Sequence, residues 1–198
     1  MMDPFLAKKT GHKNIILASQ SPRRHHLLKA LGLDFKIMPL AVDERYPDHL
    51  KRAEIPVYLA ELKAEAFPDN ELTDNDLVLT ADTIVWLDNK VLSKPADRSD
   101  AVQILRQLSG QMHEVYSGVC LRSPGKIKSF SACTEVFFRD LQEDEIEYYV
   151  DTYRPFDKAG AYGIQEWIGY IGIERISGSF YNVMGLPIQK VYEELLQF

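Results

Sequence analysis

The sequence predicts an α/β protein in which helices flank a mixed β-sheet, and three observations support this class. A short apolar strand runs directly into a helix start at Ser21-Pro22. A β-branched and apolar run covers residues 76–87, which is typical of a buried strand. Two long strand segments, 114–122 and 127–138, flank turn-forming residues and predict a β-hairpin. Helical segments lie between these strands, as in proteins whose helices pack on a sheet.

The individual elements follow from apolar spacing and from start, stop and turn residues. Pro22 and Pro56 suit the first turn of a helix, because a proline lacks the N–H that is unpaired there. Gly32 and Gly110 follow helical spacing and favour helix ends. The glycine- and aromatic-rich segment 160–185 predicts loops and short strands that line a cleft. In order, the predicted elements are strand 14–18, helix 22–31, strand 35–40, loop 43–54, helix 56–66, strands 76–87 and 91–92, helix 99–108, strands 114–122 and 127–138, helix 143–152 and helix 186–196.

Length and composition indicate one domain with two lobes. The chain has 198 residues, of which 45% are hydrophobic and 26% charged, and this suffices for a substantial core. No linker-like segment divides residues 14–198, which we predict to form the single domain. Residues 1–13 are predicted to be a loosely ordered N-terminal extension.

Net charge and cysteine content argue against several classes of protein. The formal net charge of −6 is unlike that of a general nucleic-acid binder, which carries a basic excess. Cys120 and Cys133 alone make neither a disulfide framework nor a metal cluster, so reduced thiols and a cytoplasmic location are expected. The first residues lack the apolar core of a signal peptide, and no apolar run approaches the ~18 residues of a membrane helix. Neither nucleic acid nor a membrane is therefore an expected partner.

The most informative segment is the strand-to-helix junction from Leu17 to Arg24. Ser19 and Ser21 supply hydroxyl groups, and Ser21 is placed to cap the helix. Arg23 and Arg24 add two charges where the helix N-terminus already carries partial positive charge. Because like charges repel, a bound anion explains this arrangement, and guanidinium groups match the oxygens of phosphate. The alternative is a solvated arginine pair.

Asp82 is the sharpest catalytic candidate, because it places a carboxylate inside a predicted buried strand. The alternative is an aspartate that ends the strand and caps a turn. Glu44, Lys63 and Lys94 are weak candidates singly, since each alone would be a solvent-facing charge. Together with Asp82 and the arginine pair they supply cations for phosphates and carboxylates for a divalent metal, which phosphoryl-type chemistry uses.

The segment 155–165 is a second candidate region, because its small residues let a flat ligand approach closely. Gln165 offers an amide suited to the edge of a pyrimidine base, and the alternative is a glycine-rich structural crossover. We interpret His113 as structural, bonded to a loop backbone, and the pair His25-His26 as surface residues. No Walker A, dinucleotide-binding or serine-elbow motif is present, so kinase, dinucleotide-dependent and serine-hydrolase functions have no support.

Five motifs resemble those of the Maf proteins, in that family's order, over nearly the whole chain from Ile15 to Leu195. The resemblance implies an inosine-triphosphatase-like fold, a mixed sheet with two lobes around a cleft. It also implies a nucleoside triphosphate pyrophosphatase that splits the α–β bond with a divalent metal, Mg²⁺ or Mn²⁺. The motifs are Ser19-Gln20-Ser21-Pro22-Arg23-Arg24, Ala81-Asp82-Thr83, Leu92-Ser93-Lys94-Pro95, Asp157-Lys158-Ala159-Gly160-Ala161-Tyr162-Gly163-Ile164-Gln165 and Asn182-Val183-Met184-Gly185-Leu186-Pro187.

The same resemblance assigns roles to single residues. Asp82 is the expected proton acceptor, and Glu44, Lys63 and Lys94 align with active-site positions. From the residues themselves, we expect Glu44 and Asp82 to hold the metal. The expected substrate-binding residues are Ser19, Ser21, Arg23, Arg24, Thr83 and Gln165.

Three of these positions look like those of the dTTP/UTP subfamily: Arg23, Thr83 and Gln165. Glu166 departs from the pattern, because a glycine often follows the glutamine, and this departure bears on fine specificity.

The sequence therefore predicts a cytoplasmic enzyme that hydrolyses dTTP and UTP, and modified pyrimidine nucleotides, to the monophosphate and pyrophosphate. Two alternatives stay open. One is a pyrophosphatase for 7-methyl-GTP or purine nucleotides, and the other is a non-catalytic regulator of septum formation. A homodimer is compatible with the sequence.

Overall fold

The computed structural model describes residues 4–9 and 13–198, and it confirms the predicted α/β class. The strands are β1 (Asn14–Leu17), β2 (Phe35–Ile37), β3 (Asp76–Leu87), β4 (Lys90–Leu92), β5 (Met112–Ser123), β6 (Lys126–Phe138) and β7 (Ile173–Ser177). The helices are α1 (Pro4–Lys9), α2 (Pro22–Ala30), α3 (Glu54–Glu65), α4 (Arg98–Leu108), α5 (Glu143–Tyr153), α6 (Trp167–Gly172), α7 (Phe180–Val183) and α8 (Ile188–Gln197). None of the described helices is long and apolar enough to cross a membrane.

The strands form one mixed sheet with the order β2-β1-β3-β5-β6-β7, and β4 pairs with β3. β1 runs parallel to both neighbours, with Ile15 opposite Phe35 on one side and Leu77 on the other. β4 is antiparallel to β3, and β7 is antiparallel to β6. The three apolar residues of β1 are buried, as expected for a parallel strand in a sheet whose two faces are both covered.

The chain divides into two compact units, and the first holds the sheet's parallel part. It contains the described residues up to Asp82, together with Ser117–Ala132 and Gly185–Phe198. Its buried clusters include Ile16, Phe67 and Val78. Burial of such side chains contributes roughly 25 cal/mol per Å² of apolar surface.

The second unit has an apolar core of its own and consists of Thr83–Tyr116 and Cys133–Met184. Leu105, Val136 and Tyr149 are among its fully buried side chains. His113 is buried here in edge-on contact with Phe138 and Tyr162. Its structural role is confirmed, but its partner is the Tyr162 hydroxyl, at 2.8 Å from Nε2, and not a loop backbone.

Several predicted elements have slightly different bounds in the structure, and three differ more clearly. β2 ends at Ile37 and not at residue 40, because Met38 N–H bonds Leu17 O and no further pairing follows. The segment 160–185 contains the short helices α6 and α7 besides β7. Of the predicted N-terminal extension, Pro4–Lys9 is helical, and residues 1–3 and 10–12 lie outside the described part.

Candidate active site

The junction between β1 and α2 has the predicted geometry but not the predicted cap. Pro22 is the first helical residue, and Ser21 occupies the extended N-cap position. The Ser21 side chain makes no capping bond, which corrects the prediction. Instead the Ser21 N–H donates to the hydroxyl of buried Ser19, at 3.2 Å. The local turn is therefore held by Ser19, and the Ser21 hydroxyl is not committed to the helix end.

His25 supports this turn, so the prediction that it is a surface residue is wrong. Its Nε2 lies 2.7 Å from the carbonyl oxygen of Ser19. A carbonyl only accepts, so Nε2 carries the proton in this bond. His26, the other member of the pair, is exposed as predicted. The periodicity of α2 offered a signal, because His25 is one turn beyond Ser21 and faces back towards the junction.

Arg24 is half-buried and binds backbone oxygens of two segments beside the candidate site. Its Nε donates to Gly185 O at 2.8 Å, and its Nη1 donates to Ala81 O at 2.7 Å. Burial lowers the pKa of Arg24, against the opposing effects of Asp82 and Glu44, but an arginine remains charged. Two donors of Arg24 are thus engaged by the protein, which the anion hypothesis did not predict.

Lys63 joins the two predicted carboxylates in one cluster. Its ammonium lies 2.6 Å from Asp82 Oδ1 and 2.9 Å from Glu44 Oε1. The side chains of Lys63 and Asp82 are only 13% and 14% exposed, whereas Glu44 is half exposed in its loop. Arg24 also interacts electrostatically with Asp82 and Glu44, so carboxylates and cations lie close together at this position.

Asp82 lies within β3 and does not end it, because the strand continues to Leu87. This excludes the alternative of a strand-ending cap. Between Leu77 and Leu87 the strand is buried, except for Asp82 and Thr83, which are half-buried. The strand therefore exposes two consecutive polar residues at a rigid position.

Glu44 and Asp82 could together hold a hard divalent cation whose shell is completed by oxygen atoms from outside the protein. In the described part of the chain, no group of three or more His, Cys, Asp or Glu side chains could hold a metal ion. Glu44 and Asp82 nevertheless converge on one ammonium, so a positive charge is already favourable between them. Mg²⁺ commonly takes one or two carboxylates and completes its shell with water and phosphate oxygens.

The remaining predicted residues belong to the second unit. Thr83 follows Asp82 on β3, and Lys94 is exposed in the segment after β4. That segment contacts the glycine-rich one, because Gly160 N–H donates to Ser93 O at 3.3 Å. Gly160 has φ of 69°, and a Cβ there would lie 2.8 Å from Val85, so glycine is required. Gln165 is half-buried, just before α6.

Comparison with known proteins identifies the family to which this sequence is similar. The family model described as Maf-like protein matches residues 14–198. A dTTP/UTP pyrophosphatase of Bacteroides thetaiotaomicron is 58% identical over 182 residues, covering 91% of this chain and 94% of the relative. A dTTP/UTP pyrophosphatase of Phocaeicola vulgatus is 54% identical over 182 residues, with the same coverage. One of Parabacteroides distasonis is 52% identical over 185 residues, covering 93% and 95%.

One solved structure, that of the Staphylococcus aureus Ham1 protein, matches with a TM-score of 0.45 and 15% identity. The match covers 65% of this chain and 73% of that chain. At that distance the likeness has no bearing on the site.

Proposed function

The chain belongs to the Maf-like protein family, and on that premise we propose that it hydrolyses dTTP and UTP to the monophosphate and pyrophosphate. The cluster of Asp82, Lys63 and Glu44 carries this proposal, because it places a carboxylate base, a cation and a second carboxylate together. Relatives that are 52–58% identical over more than nine-tenths of this chain are named dTTP/UTP pyrophosphatase. This supports both the proposed reaction and the proposed choice of thymine and uracil nucleotides.

Asp82 is the group that we assign as proton acceptor. Lys63 binds its Oδ1, so Oδ2 is the atom assigned to take a proton from the attacking water. The water oxygen forms a bond to the α-phosphorus, the α–β anhydride bond breaks, and pyrophosphate leaves. A rigid strand suits this role, because a general base must be held within hydrogen-bond reach of the water.

Cations of the chain stabilise the negative charge that develops on the phosphates. We assign this role to Lys63, Lys94 and Arg24. The hydroxyls of Ser19 and Ser21 can donate to phosphate oxygens at the helix start. A divalent ion, Mg²⁺ or Mn²⁺, held by Glu44 and Asp82 would polarise phosphate oxygens when bound.

Base selection is assigned to Arg23, Thr83 and Gln165. Thymine and uracil present an imide edge with two carbonyl oxygens and one N–H. A guanidinium donates to the oxygens, and an amide both donates and accepts. A site that pairs these groups rejects a mismatched base, because its own polar groups would then stay unpaired. We place the enzyme in the cytoplasm, in keeping with Cys120 and Cys133, neither of which is in a disulfide.

The test is steady-state hydrolysis of a nucleotide panel with Mg²⁺ or Mn²⁺. We expect the highest kcat/KM for dTTP and UTP, with ATP, GTP and 7-methyl-GTP much poorer. The products should be monophosphate and pyrophosphate. Preference for 7-methyl-GTP would contradict the assigned nucleobase specificity. Release of orthophosphate would contradict cleavage of the α–β anhydride bond.

Asp82→Asn tests the assignment of Asp82 as the general base. The amide keeps the shape of the side chain but cannot accept the proton, so we expect kcat to fall by ~10²–10⁴-fold. Thermal unfolding measured in parallel should show a folded protein. Activity within a few-fold of the parent enzyme would mean that Asp82 is not the base.

A further inference from the structure

Glu166 places a carboxylate directly after Gln165, and two buried groups fix both of its oxygens. Lys158 Nζ lies 3.2 Å from Oε1, and the Tyr149 hydroxyl donates to Oε2. Lys158 is only 7% exposed, and Tyr149 is fully buried. Burial raises the pKa of Tyr149, and Glu166 raises it further, so the phenol stays protonated and donates. The Glu166 carboxylate is therefore immobilised and not a solvated charge.

Gly163 brings this carboxylate beside the amide of Gln165. Its N–H donates to the Tyr149 hydroxyl at 3.0 Å, which ties the turn to the same group. A Cβ on Gly163 would lie 2.8 Å from Gln165 Nε2 and 2.8 Å from the carboxyl carbon of Glu166. Both side chains thus fold over the same side of Gly163, and only a glycine leaves room for them.

The neighbouring charge gives the Gln165 amide a preferred orientation. A carboxylate attracts the N–H end of an amide and repels its oxygen. In agreement, Nε2 is the amide atom that lies against Gly163 beside Glu166. The other amide atom, Oε1, is buried and makes no hydrogen bond within the described residues. A buried acceptor without a donor is unfavourable, and a ligand N–H would satisfy it.

We propose that Glu166, held by Lys158 and Tyr149, is a positioning residue that fixes the amide of Gln165 so that Oε1 accepts the N3–H of thymine or uracil. This inference rests on the proposed function. Cytosine carries an acceptor at N3, so the same amide oxygen repels it. An amide that could flip would accept both kinds of ring, and Glu166 prevents that flip. The glutamate therefore selects dTTP and UTP against dCTP and CTP.

The test compares kcat and KM of the parent enzyme and Glu166→Ala for dTTP, dCTP and N3-methyl-dTTP, which lacks the N3 donor. We expect the preference for dTTP over dCTP to fall about tenfold, the value of one hydrogen bond, mainly through a lower KM for dCTP, because the released amide can turn its Nε2 donor towards N3 of cytosine. The penalty for N3-methylation should shrink in the same variant. kcat should change little, because Asp82 is untouched.

Two further variants separate positioning from stability. Tyr149→Phe removes one of the two bonds to Glu166 and should reduce selectivity in the same direction, about threefold. Glu145→Ala breaks the ion pair with Arg139 in the same unit, at 2.7 Å, and should lower the melting temperature without changing selectivity. If Glu166→Ala does not fold, Tyr149→Phe by itself tests the positioning role of Glu166.

Unchanged selectivity in both Glu166→Ala and Tyr149→Phe, with Gln165→Ala losing it, would overturn the positioning role alone. A parent enzyme that releases no pyrophosphate from dTTP or UTP would overturn the proposed function and this inference with it. The two failures are distinguishable, because the second is seen before any variant is compared.

Discussion

A single half-buried side chain, that of Arg24, connects three segments of the first unit. It begins in α2 and reaches the backbone oxygens of Ala81 and Gly185. Ala81 directly precedes Asp82, so the guanidinium also fixes the backbone that carries the assigned base. A lysine could not reproduce this contact, because a guanidinium places several donors in one rigid plane.

Arg24→Ala should therefore destabilise the fold as well as the activity. Removing the guanidinium leaves two buried carbonyl oxygens without these donors, at a cost of about 3 kcal/mol in the free energy of unfolding. Urea denaturation measures this change directly. Lys29→Ala, an exposed position on the same helix, serves as the control and should lie within ~0.5 kcal/mol of the parent. Equal stability of Arg24→Ala and the parent would refute this role.

Most residues of the candidate site could be identified from the sequence, but the groups that they contact could not. The arginine pair and Asp82 were identifiable, because a charge within an apolar pattern needs an explanation. Lys63 alone looked like a solvent-facing lysine, and only tertiary structure brings it to Asp82 and Glu44. Its role came instead from the resemblance to the Maf proteins. Which donors of Arg24 bind backbone depends on loops far apart in sequence, and no local pattern encodes that.

Among the elements, α3 has the greatest bearing on the site, because it carries Lys63. Three contacts fix it to the strands of the first unit. Thr80 of β3 donates to Ala60 O at 2.6 Å, and Arg122 of β5 donates to the carbonyls of Ala64 and Phe67. The third is steric, since a Cβ on Gly118 of β5 would lie 2.2 Å from the backbone of Pro56. The Lys63 ammonium is placed by these contacts.

Gly118→Ala should disrupt the packing of α3 on β5. The clash is with backbone atoms, which cannot rotate away, so we expect a loss of about 3 kcal/mol in unfolding free energy. Hydrolysis of dTTP should also fall, because α3 carries Lys63. Gly125→Ala is the matched control: it has open space around the new methyl group but φ of 72°, and should cost about 1 kcal/mol. A Gly118→Ala protein as stable as the control would contradict this account.

The elements were predictable to the extent that local sequence determines them. β3 has the predicted bounds, because ten of its twelve residues are apolar or β-branched and leave little ambiguity. α6 and α7 were missed, since helices of six and four residues have no usable periodicity. α6 begins after Glu166, whose side chain is bound by Lys158 and Tyr149. That helix start therefore depends on contacts with distant segments, which a local pattern does not show.

For the whole molecule, the response to acid depends on groups that change protonation between the folded and unfolded chain. Several carboxylates have a lowered pKa, among them Asp76, where hydrogen bonds from Thr73 and Asn14 overcome the opposing effect of burial. The pKa of Glu145 is also lowered, because Arg139 donates hydrogen bonds to its carboxylate. Their contribution is complete above the unfolded pKa values of 3.8 and 4.5 and is lost only at lower pH. Between pH 4.5 and pH 6.5 these carboxylates therefore leave stability nearly constant.

Between pH 4.5 and pH 6.5, the protonation of His113 changes the stability of the fold. Burial lowers its pKa from 6.5 to about 3, so the folded protein keeps the ring neutral while the unfolded chain binds a proton. Stability from this group is therefore complete above pH 6.5 and is lost as the pH falls towards 3, by up to about 1.4 kcal/mol per pH unit. Urea denaturation at pH 4.5–7 should show this slope in the parent protein, and His113→Phe should flatten it, although it is less stable at neutral pH because it loses the bond to Tyr162. His26→Gln, at an exposed position, should keep the parent slope. If His113→Phe and the parent show the same dependence on pH, the acid sensitivity of the fold resides elsewhere.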